Sequence, residues 1–145
     1  MIVVDSSVWI AQLRGLATPA ALTLRAIVEH DDDQILVGDL ILLELLQGAS
    51  DEAHAERIER NLRRYPIAPM LNETIVVQAA RNYRLLRARG ITVRKTIDMI
   101  IGTFCSARGM CCCTMIGISA RLRRISDCGL CRYNTNRPNH RLTGG

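Results

Sequence analysis

The sequence predicts an α/β protein, a three-layer α/β/α domain built on a short parallel sheet. Three short apolar segments, MIVVD, ILVG and PIAPM, have the composition of strands, and longer segments with helical periodicity separate them. Strands that alternate with helices form parallel βαβ units, because a crossover brings each new strand alongside the last. Such a sheet places its functional site at the carboxyl ends of its strands.

The first 50 residues contain two of these strands and three predicted helices. Ser6 or Ser7 caps the first helix, SSVWIAQLRG, which Gly15 ends. Thr18 caps the second helix, TPAALTLRAIVEH, in which a proline takes the favoured first helical position. Asp39 caps the third helix, LILLELLQGA, which is almost wholly apolar.

Three more helices and the third strand are predicted beyond residue 50. Ser50 caps SDEAHAERIERNLRRY, which has acids in its first turn and arginines in its last, as the helix dipole favours. PIAPM follows as the third strand. Asn72 then caps a long helix that Gly90 ends, and the last helix begins near Thr96.

Length and hydropathy limit the class of protein. A chain of 145 residues fits one domain with a sizeable core. No apolar run reaches ~18 residues, so no membrane-spanning helix and no membrane partner are expected. The amino terminus, MIVVDSSVWI, lacks the basic region of a signal peptide, and we therefore expect a cytoplasmic protein.

The composition changes abruptly near residue 109. Residues 1–109 carry 13 basic and 13 acidic side chains, whereas residues 110–145 carry six arginines and one aspartate, which accounts for the whole net charge of +5. All six cysteines lie at or after Cys105. We therefore divide the chain into a domain, residues 1–109, and an atypical tail, residues 110–145. The tail does not predict the strand and helix that should complete the sheet.

Three acidic residues occupy unusual positions. Asp5 ends the first strand, where it is either a site residue or a helix cap. Glu44 interrupts LILLELL, so its carboxylate is either buried and partnered or lies on a narrow exposed stripe. Asp98, in TIDMIIGTF, is either a site residue or a first-turn acid favoured by the helix dipole.

Together, these acids predict a metal site. Acids at a strand end and in two core helices can converge at one edge of the sheet, where their mutual repulsion calls for a hard cation such as Mg²⁺ or Mn²⁺. Carboxylate-held divalent ions suit hydrolysis of phosphodiesters. Ser6, next to Asp5, is placed to position a metal-bound water or a phosphate.

The same segments resemble a known family. MIVVDSSVWIAQLRG and GDLILLELLQG resemble segments of PIN-domain toxins of the VapC type, and TIDMIIGTFC resembles their D-x-x-I-A segment. The resemblance implies a metal-dependent endoribonuclease, the toxin of a toxin–antitoxin pair, with Asp5, Glu44 and Asp98 as its catalytic and metal-binding acids. It also implies an RNA substrate, an antitoxin protein as partner, and frequent homodimers. The family has a fourth acidic stretch like H-D-x-D-F after the last strand, where this chain has CCCTMIGIS.

A shifted reading frame accounts for the tail. The codons for residues 109–119 can be translated in another frame, in which each new codon consists of the last base of one codon and the first two bases of the next. Ser119 is taken as a TCN codon. The shifted codons can encode the segment H-V-L-L-H-D-D-R-D-F. In this segment the genetic code allows only one amino acid at the valine, at both leucines and at the second aspartate of the adjacent pair. The same shift over residues 124–129 permits H-L-G-L-R, which resembles the family's last strand. The direction of the shift corresponds to one lost base, or two gained, between about codons 105 and 110. We interpret the tail as an out-of-frame replacement of the last strand and helix.

Other functions remain open at this point. The chain can be a catalytically impaired remnant that still binds antitoxin. It can also be a zinc-binding interaction module, because Cys128 and Cys131 have zinc-knuckle spacing and His140 and the cysteines of residues 111–113 are further candidate ligands. Adjacent cysteines rarely ligate one ion together, and the second cysteine pair of a normal motif is missing. The six arginines of the tail form a weak footprint for nucleic acid.

Overall fold

The computed structural model describes residues 1–30 and 35–113 of the chain. This part of the chain contains four strands and six helices. In chain order they are β1 Ile2–Val4, α1 Ser6–Leu13, α2 Pro19–His30, β2 Ile35–Gly38, α3 Asp39–Gln47, α4 Glu52–Leu62, β3 Ile67–Ala68, α5 Glu73–Ala88, α6 Thr96–Ala107 and β4 Cys111–Cys113.

The four strands form one parallel sheet in the order β3-β2-β1-β4. Every residue of β1 and β2 is buried. Because successive strand residues point to opposite faces, both faces of the sheet are covered. The predicted α/β class, with its short parallel sheet and layers on both sides, is therefore confirmed.

The core lies on the two central strands. Apolar side chains from five helices and from the segment after β3 are fully or almost fully buried against these strands. They are Val8, Trp9, Leu24, Ile41, Leu45, Ile58, Leu62, Met70, Ile101 and Phe104. A smaller cluster of Leu86, Val93 and Met99 joins α5 to α6.

The expectation that no strand follows residue 109 was wrong. Cys111–Cys113 form β4, which pairs in parallel with β1, and Val4 lies opposite Cys113. Sheet hydrogen bonds join backbone groups, and cysteine is a small apolar residue that tolerates such a position. The half-buried Cys112 packs against the core. The rest of the predicted tail lies outside the described residues, and the division of the chain at residue 109 stays a prediction.

The helix caps differ from the predicted ones at three places. Asp5, not Ser6 or Ser7, caps α1, since its side chain accepts a hydrogen bond from the backbone of Ser7. Asp51 rather than Ser50 caps α4, and its side chain accepts from the backbone N–H of His54. In each case the longer acidic side chain at a neighbouring position supplies the acceptor.

The third difference concerns α3. Its cap is Gly38, and Asp39 is the first helical residue. The side chain of Asp39 accepts a hydrogen bond from the backbone N–H of Met70 at 3.0 Å, so it fastens the segment after β3 to the start of the helix. The predicted caps Thr18 and Asn72 are confirmed.

Gly38 has a packing role at this corner of the sheet. A Cβ atom added there would lie 2.2 Å from the sulfur of Met70, so no larger residue fits without displacing that side chain. The glycine thereby lets the chain after β3 cross closely over the end of β2. In the described ranges, 1–30 and 35–113, none of the helices has both the length and the apolar character needed to span a membrane.

Candidate active site

The three predicted acids occupy elements that meet at the carboxyl edge of the sheet. Asp5 directly follows β1, and Glu44 lies on α3, which begins where β2 ends. Asp98 lies in the first turn of α6, the helix that leads into β4. Since β2, β1 and β4 are neighbours in the sheet, the topology brings the three acids to one side of the domain.

Asp5 both caps a helix and faces the site. Its Oδ2 atom accepts hydrogen bonds from the backbone and the hydroxyl of Ser7. Among the described residues, its other oxygen, Oδ1, has no hydrogen-bond partner. The two roles that the sequence left open for Asp5 are therefore compatible, because one oxygen serves the helix and the other remains available.

Glu44 is largely enclosed by the protein. Its side chain is only 13% exposed, which excludes the alternative that it lies on an exposed stripe of α3. The hydroxyl of Ser6, itself buried, donates a hydrogen bond of 2.7 Å to Oε2. The ammonium group of Lys95 lies 3.6 Å from Oε1. Each carboxylate oxygen of Glu44 thus has a polar partner, as a buried charge requires.

Asp98 is half-buried and feels the charges of the other two acids. Burial is the main reason that the pKa of its carboxyl lies above the usual range. The negative charges of Asp5 and Glu44 raise this pKa further, and the Lys95 ammonium partly offsets them. This electrostatic effect agrees with the topology, which places Asp5, Glu44 and Asp98 at one edge of the sheet.

Lys95 was missed by the sequence analysis. It is the N-cap residue of α6, and its side chain makes no capping hydrogen bond. A cation at a helix N-terminus is disfavoured by the helix dipole, and the Glu44 carboxylate beside Lys95 offsets this effect. Its distance to Glu44 places Lys95 at the site, and the only hint in the sequence is a lysine at a helix start, three residues before an acid in an apolar helix.

The carboxylate oxygens of the site are suitable ligands for a hard divalent cation, although the side chains do not lie close enough together to coordinate one. Within residues 1–30 and 35–113, no three His, Cys, Asp or Glu side chains form a group able to hold a metal ion as they stand. Asp5 and Asp98 nevertheless offer carboxylate oxygens, the donors that Mg²⁺ and Mn²⁺ prefer. Glu44 already has a cation beside it in Lys95. Cys128, Cys131 and His140, the candidate zinc ligands, lie outside the described residues.

The raised pKa of Asp98 predicts a pH dependence of stability. A carboxyl whose pKa is higher in the folded than in the unfolded chain opposes folding once it ionises. This effect is absent below the ordinary aspartate value of 3.8 and grows as the pH rises through the folded pKa. In urea unfolding, Asp98→Asn should therefore have a higher midpoint than the parent at pH 7, and the difference should narrow toward acid pH.

Asp51→Asn is the matched control for this experiment. The pKa of Asp51 is lowered, mainly by the hydrogen bond from the backbone of His54, so its charge favours folding at neutral pH. Asp51→Asn should not raise the midpoint at pH 7. A midpoint for Asp98→Asn at or below that of the parent at pH 7 would contradict the assigned environment of Asp98.

Sequence comparison places this fold and site in a family. The sequence model of the PIN domain matches residues 2–111. The chain belongs to the PIN domain family. Among its relatives, VapC ribonuclease Mb1587 of Mycobacterium bovis is 28% identical to this PIN domain over 109 residues, 75% of this chain and 81% of the relative. Ribonuclease VapC11 of Mycobacterium tuberculosis has the same identity and coverage.

Solved structures share the fold of this chain. VapBC2 from Rickettsia felis, bound to a DNA fragment from its promoter, matches 84% of this chain and 92% of its own with a TM-score of 0.63 and 15% identity. FitAB bound to an IR36 DNA fragment matches 77% of this PIN domain chain and 82% of its own with a TM-score of 0.60 and 16% identity. The resemblance to VapC-type PIN domains, predicted from three motifs, is confirmed.

Proposed function

We propose that this PIN domain is a ribonuclease of the VapC type, the toxin of a toxin–antitoxin pair, and that it cleaves RNA internally with Mg²⁺ or Mn²⁺. The observation that supports the proposal is the placement of Asp5, Glu44 and Asp98 at the carboxyl edge of the sheet, after β1, on the helix after β2 and in the first turn of the helix before β4. The relatives with the same domain are named ribonucleases. Location in the cytoplasm stays a prediction.

Each side chain of the site has a distinct role in this proposal. Asp5, Glu44 and Asp98 would hold the metal, which when bound supplies activation of water and stabilisation of the charge on the scissile phosphate. Ser6 fixes the orientation of the Glu44 carboxylate through its 2.7 Å hydrogen bond, which makes it a positioning residue. One of the three carboxylates accepts the proton of the attacking water.

Lys95 completes the electrostatic balance of the site. Three acids in one partly buried place repel one another, and this repulsion adds to the effect of burial in raising the pKa of Asp98. The ammonium of Lys95, 3.6 Å from Glu44, reduces it while no divalent ion is bound. Its side chain is 67% exposed, so it is free to move away when a substrate or a cation arrives.

The proposed activity of this chain is reduced by its tail. The sequence after β4 contains no acid before Asp127, so the fourth acidic stretch of the family is absent. A metal site that lacks one of its acidic groups binds its cation less tightly. We therefore expect slow cleavage by the 145-residue chain.

The test uses an end-labelled RNA of mixed sequence and the purified 145-residue chain. We expect internal cleavage with Mg²⁺ or Mn²⁺, none with EDTA, and restored cleavage when the metal is added back. Asp5→Asn, purified in the same way, controls for contaminating nucleases. Equal cleavage by the parent and Asp5→Asn, or none by either, would overturn the ribonuclease proposal for this chain.

The second candidate, a remnant that binds antitoxin without cleaving RNA, is supported by an exposed apolar surface. Ile10 and Leu13 on α1, Leu16 in the loop after α1, and Leu22 on the packed neighbour α2 are each 36–49% exposed. Exposed apolar patches of this kind mark protein-binding surfaces. The antitoxin encoded beside the toxin should bind the parent chain but not Leu13→Asp/Leu22→Asp, as measured by calorimetry. Binding with no metal-dependent cleavage would support the remnant, and homodimer formation, measured by sedimentation, stays a prediction.

A further inference from the structure

A groove lies beside the carboxylate site, between α5 and the segment that leads into α6. It has a volume of about 610 Å³. Its apolar wall is formed by side chains such as Leu71, Val76 and Met99, and Tyr83 adds an aromatic ring that is 39% exposed. The groove therefore offers both an apolar surface and an aromatic face to an occupant.

The charged side chains of the groove all have the same sign. Arg84 on α5, and Arg94 and Lys95 just before α6, line it. Within the described part of the chain, no acidic side chain lines the groove, and neither Arg84 nor Arg94 forms a salt bridge. Two arginines without carboxylate partners, next to an exposed tyrosine, provide charge complementarity to a polyanion.

Lys95 connects the groove to the carboxylate site. It lines the groove, and its ammonium group also lies 3.6 Å from Glu44. Thr96 lines the groove as well, and Asp98 follows two residues later on the same helix. An extended ligand that binds in the groove can therefore reach the three acids at the edge of the sheet.

We propose that this groove binds single-stranded RNA on one side of the scissile bond, with Arg84 and Arg94 on its phosphates and a base against Tyr83. The proposal rests on the proposed ribonuclease function, since it makes the groove a subsite of that reaction. Arginine is suited to phosphate, and bases stack on aromatic rings irrespective of sequence. The apolar wall accepts the faces of unstacked bases, which a duplex does not expose.

The charges distinguish this occupant from two others. A second copy of the chain, related by a two-fold axis, would bring Arg84 and Arg94 of both copies into one interface, and like charges there oppose association. An acidic protein segment satisfies the arginines but carries no phosphodiester on which the three carboxylates and their cation would act. An RNA strand has a reason to reach those carboxylates, because its phosphodiester is the bond to be broken.

The experiment measures binding separately from cleavage. The full chain is titrated, in EDTA, into a fluorescein-labelled oligoadenylate of about ten nucleotides, and anisotropy is recorded over a series of salt concentrations. Arg84→Ala/Arg94→Ala should reduce the slope of log affinity against log salt by about 1.4, as expected for two lost phosphate contacts on a single strand. Tyr83→Ala should weaken binding by about fivefold or more through lost stacking.

Arg57→Ala/Arg60→Ala is the matched control. Both arginines are exposed on α4, outside the groove, and the change in net charge is the same. Equal loss of slope in the groove and control variants would overturn the proposal, as would absence of binding by the parent. A groove variant that becomes monomeric with unchanged RNA affinity would assign the face to a second copy. A polyglutamate peptide that displaces the RNA at lower concentration than unlabelled oligoadenylate would assign it to an acidic protein.

The outcomes separate this proposal from the ribonuclease proposal. If RNA binding depends on the groove residues but no metal-dependent cleavage occurs, the proposed RNA-binding role of the groove stands and the ribonuclease proposal is rejected. If Arg84→Ala/Arg94→Ala cleaves RNA in the presence of metal with the same KM as the parent, the ribonuclease proposal stands and the RNA-binding role of the groove is rejected. Because Tyr83, Arg84 and Arg94 are all exposed, their substitution should leave the unfolding midpoint unchanged, which circular dichroism checks.

Discussion

One base added between codons 105 and 110 should increase the rate of metal-dependent RNA cleavage by about 100-fold. When the base is added before codon 110, the restored frame places Val-Leu-Leu at positions 111–113, the positions that form β4. A strand there ends level with Val4, just before Asp5. The acidic stretch that follows it would then come to the edge of the sheet where Asp5 lies, and would add a carboxylate to the site.

Two control chains make this comparison specific. Three bases added at the same place insert a residue but keep the present tail, and should leave the slow rate unchanged. The restored chain with Asp5→Asn should be inactive, which shows that the gain operates through this site. Cleavage at the same rate by the 145-residue chain and by the restored chain would reject the out-of-frame interpretation of the tail.

Glu44→Gln should lower the cleavage rate of the restored chain by roughly 10²–10³-fold. The amide keeps the size of the side chain and still accepts the hydrogen bond of Ser6, but it removes the charge that a cation needs. Because the Lys95 partner is 67% exposed and is solvated without Glu44, the loss of this ion pair should change the unfolding midpoint little. Loss of rate without loss of stability identifies a functional carboxylate.

Glu56→Gln is the control for Glu44→Gln. It makes the same chemical change on an exposed position of α4, away from the three acids. Its cleavage rate should stay within about twofold of the restored parent, since surface substitutions have small effects. A rate for Glu44→Gln equal to that of Glu56→Gln would remove Glu44 from the site.

The sequence predicted the central part of the fold because local patterns determine it. Short apolar runs between helical segments defined β1 and β2, and the buried acid in LILLELL identified Glu44. The N-cap residue of a helix was harder to predict wherever two polar residues are adjacent in the sequence. The choice between Ser50 and Asp51, or between Asp5 and Ser6, depends on which side chain reaches a backbone N–H, and this geometry is not encoded in the order of residue types.

Contacts between distant residues account for what the sequence did not reveal. The approach of Lys95 to Glu44 and the bond from Ser6 to Glu44 join different elements, and no periodicity reports them. The strand Cys111–Cys113 was missed for a related reason. Its composition is unlike that of a normal strand. Its position beside β1 depends instead on α6, which precedes it, and on the backbone groups at the edge of β1 that are available for pairing.

The strand order β3-β2-β1-β4 also has a consequence for how the domain assembles. β1 is made first, yet one of its two neighbours, β4, is made after every other element of the described part. Pairing between such distant segments is slow, because loop closure must precede the contact. A change of frame before codon 110 therefore leaves the early steps of folding untouched and acts on the last strand to join the sheet. Until that strand joins, an edge of β1 stays open to pairing with other chains.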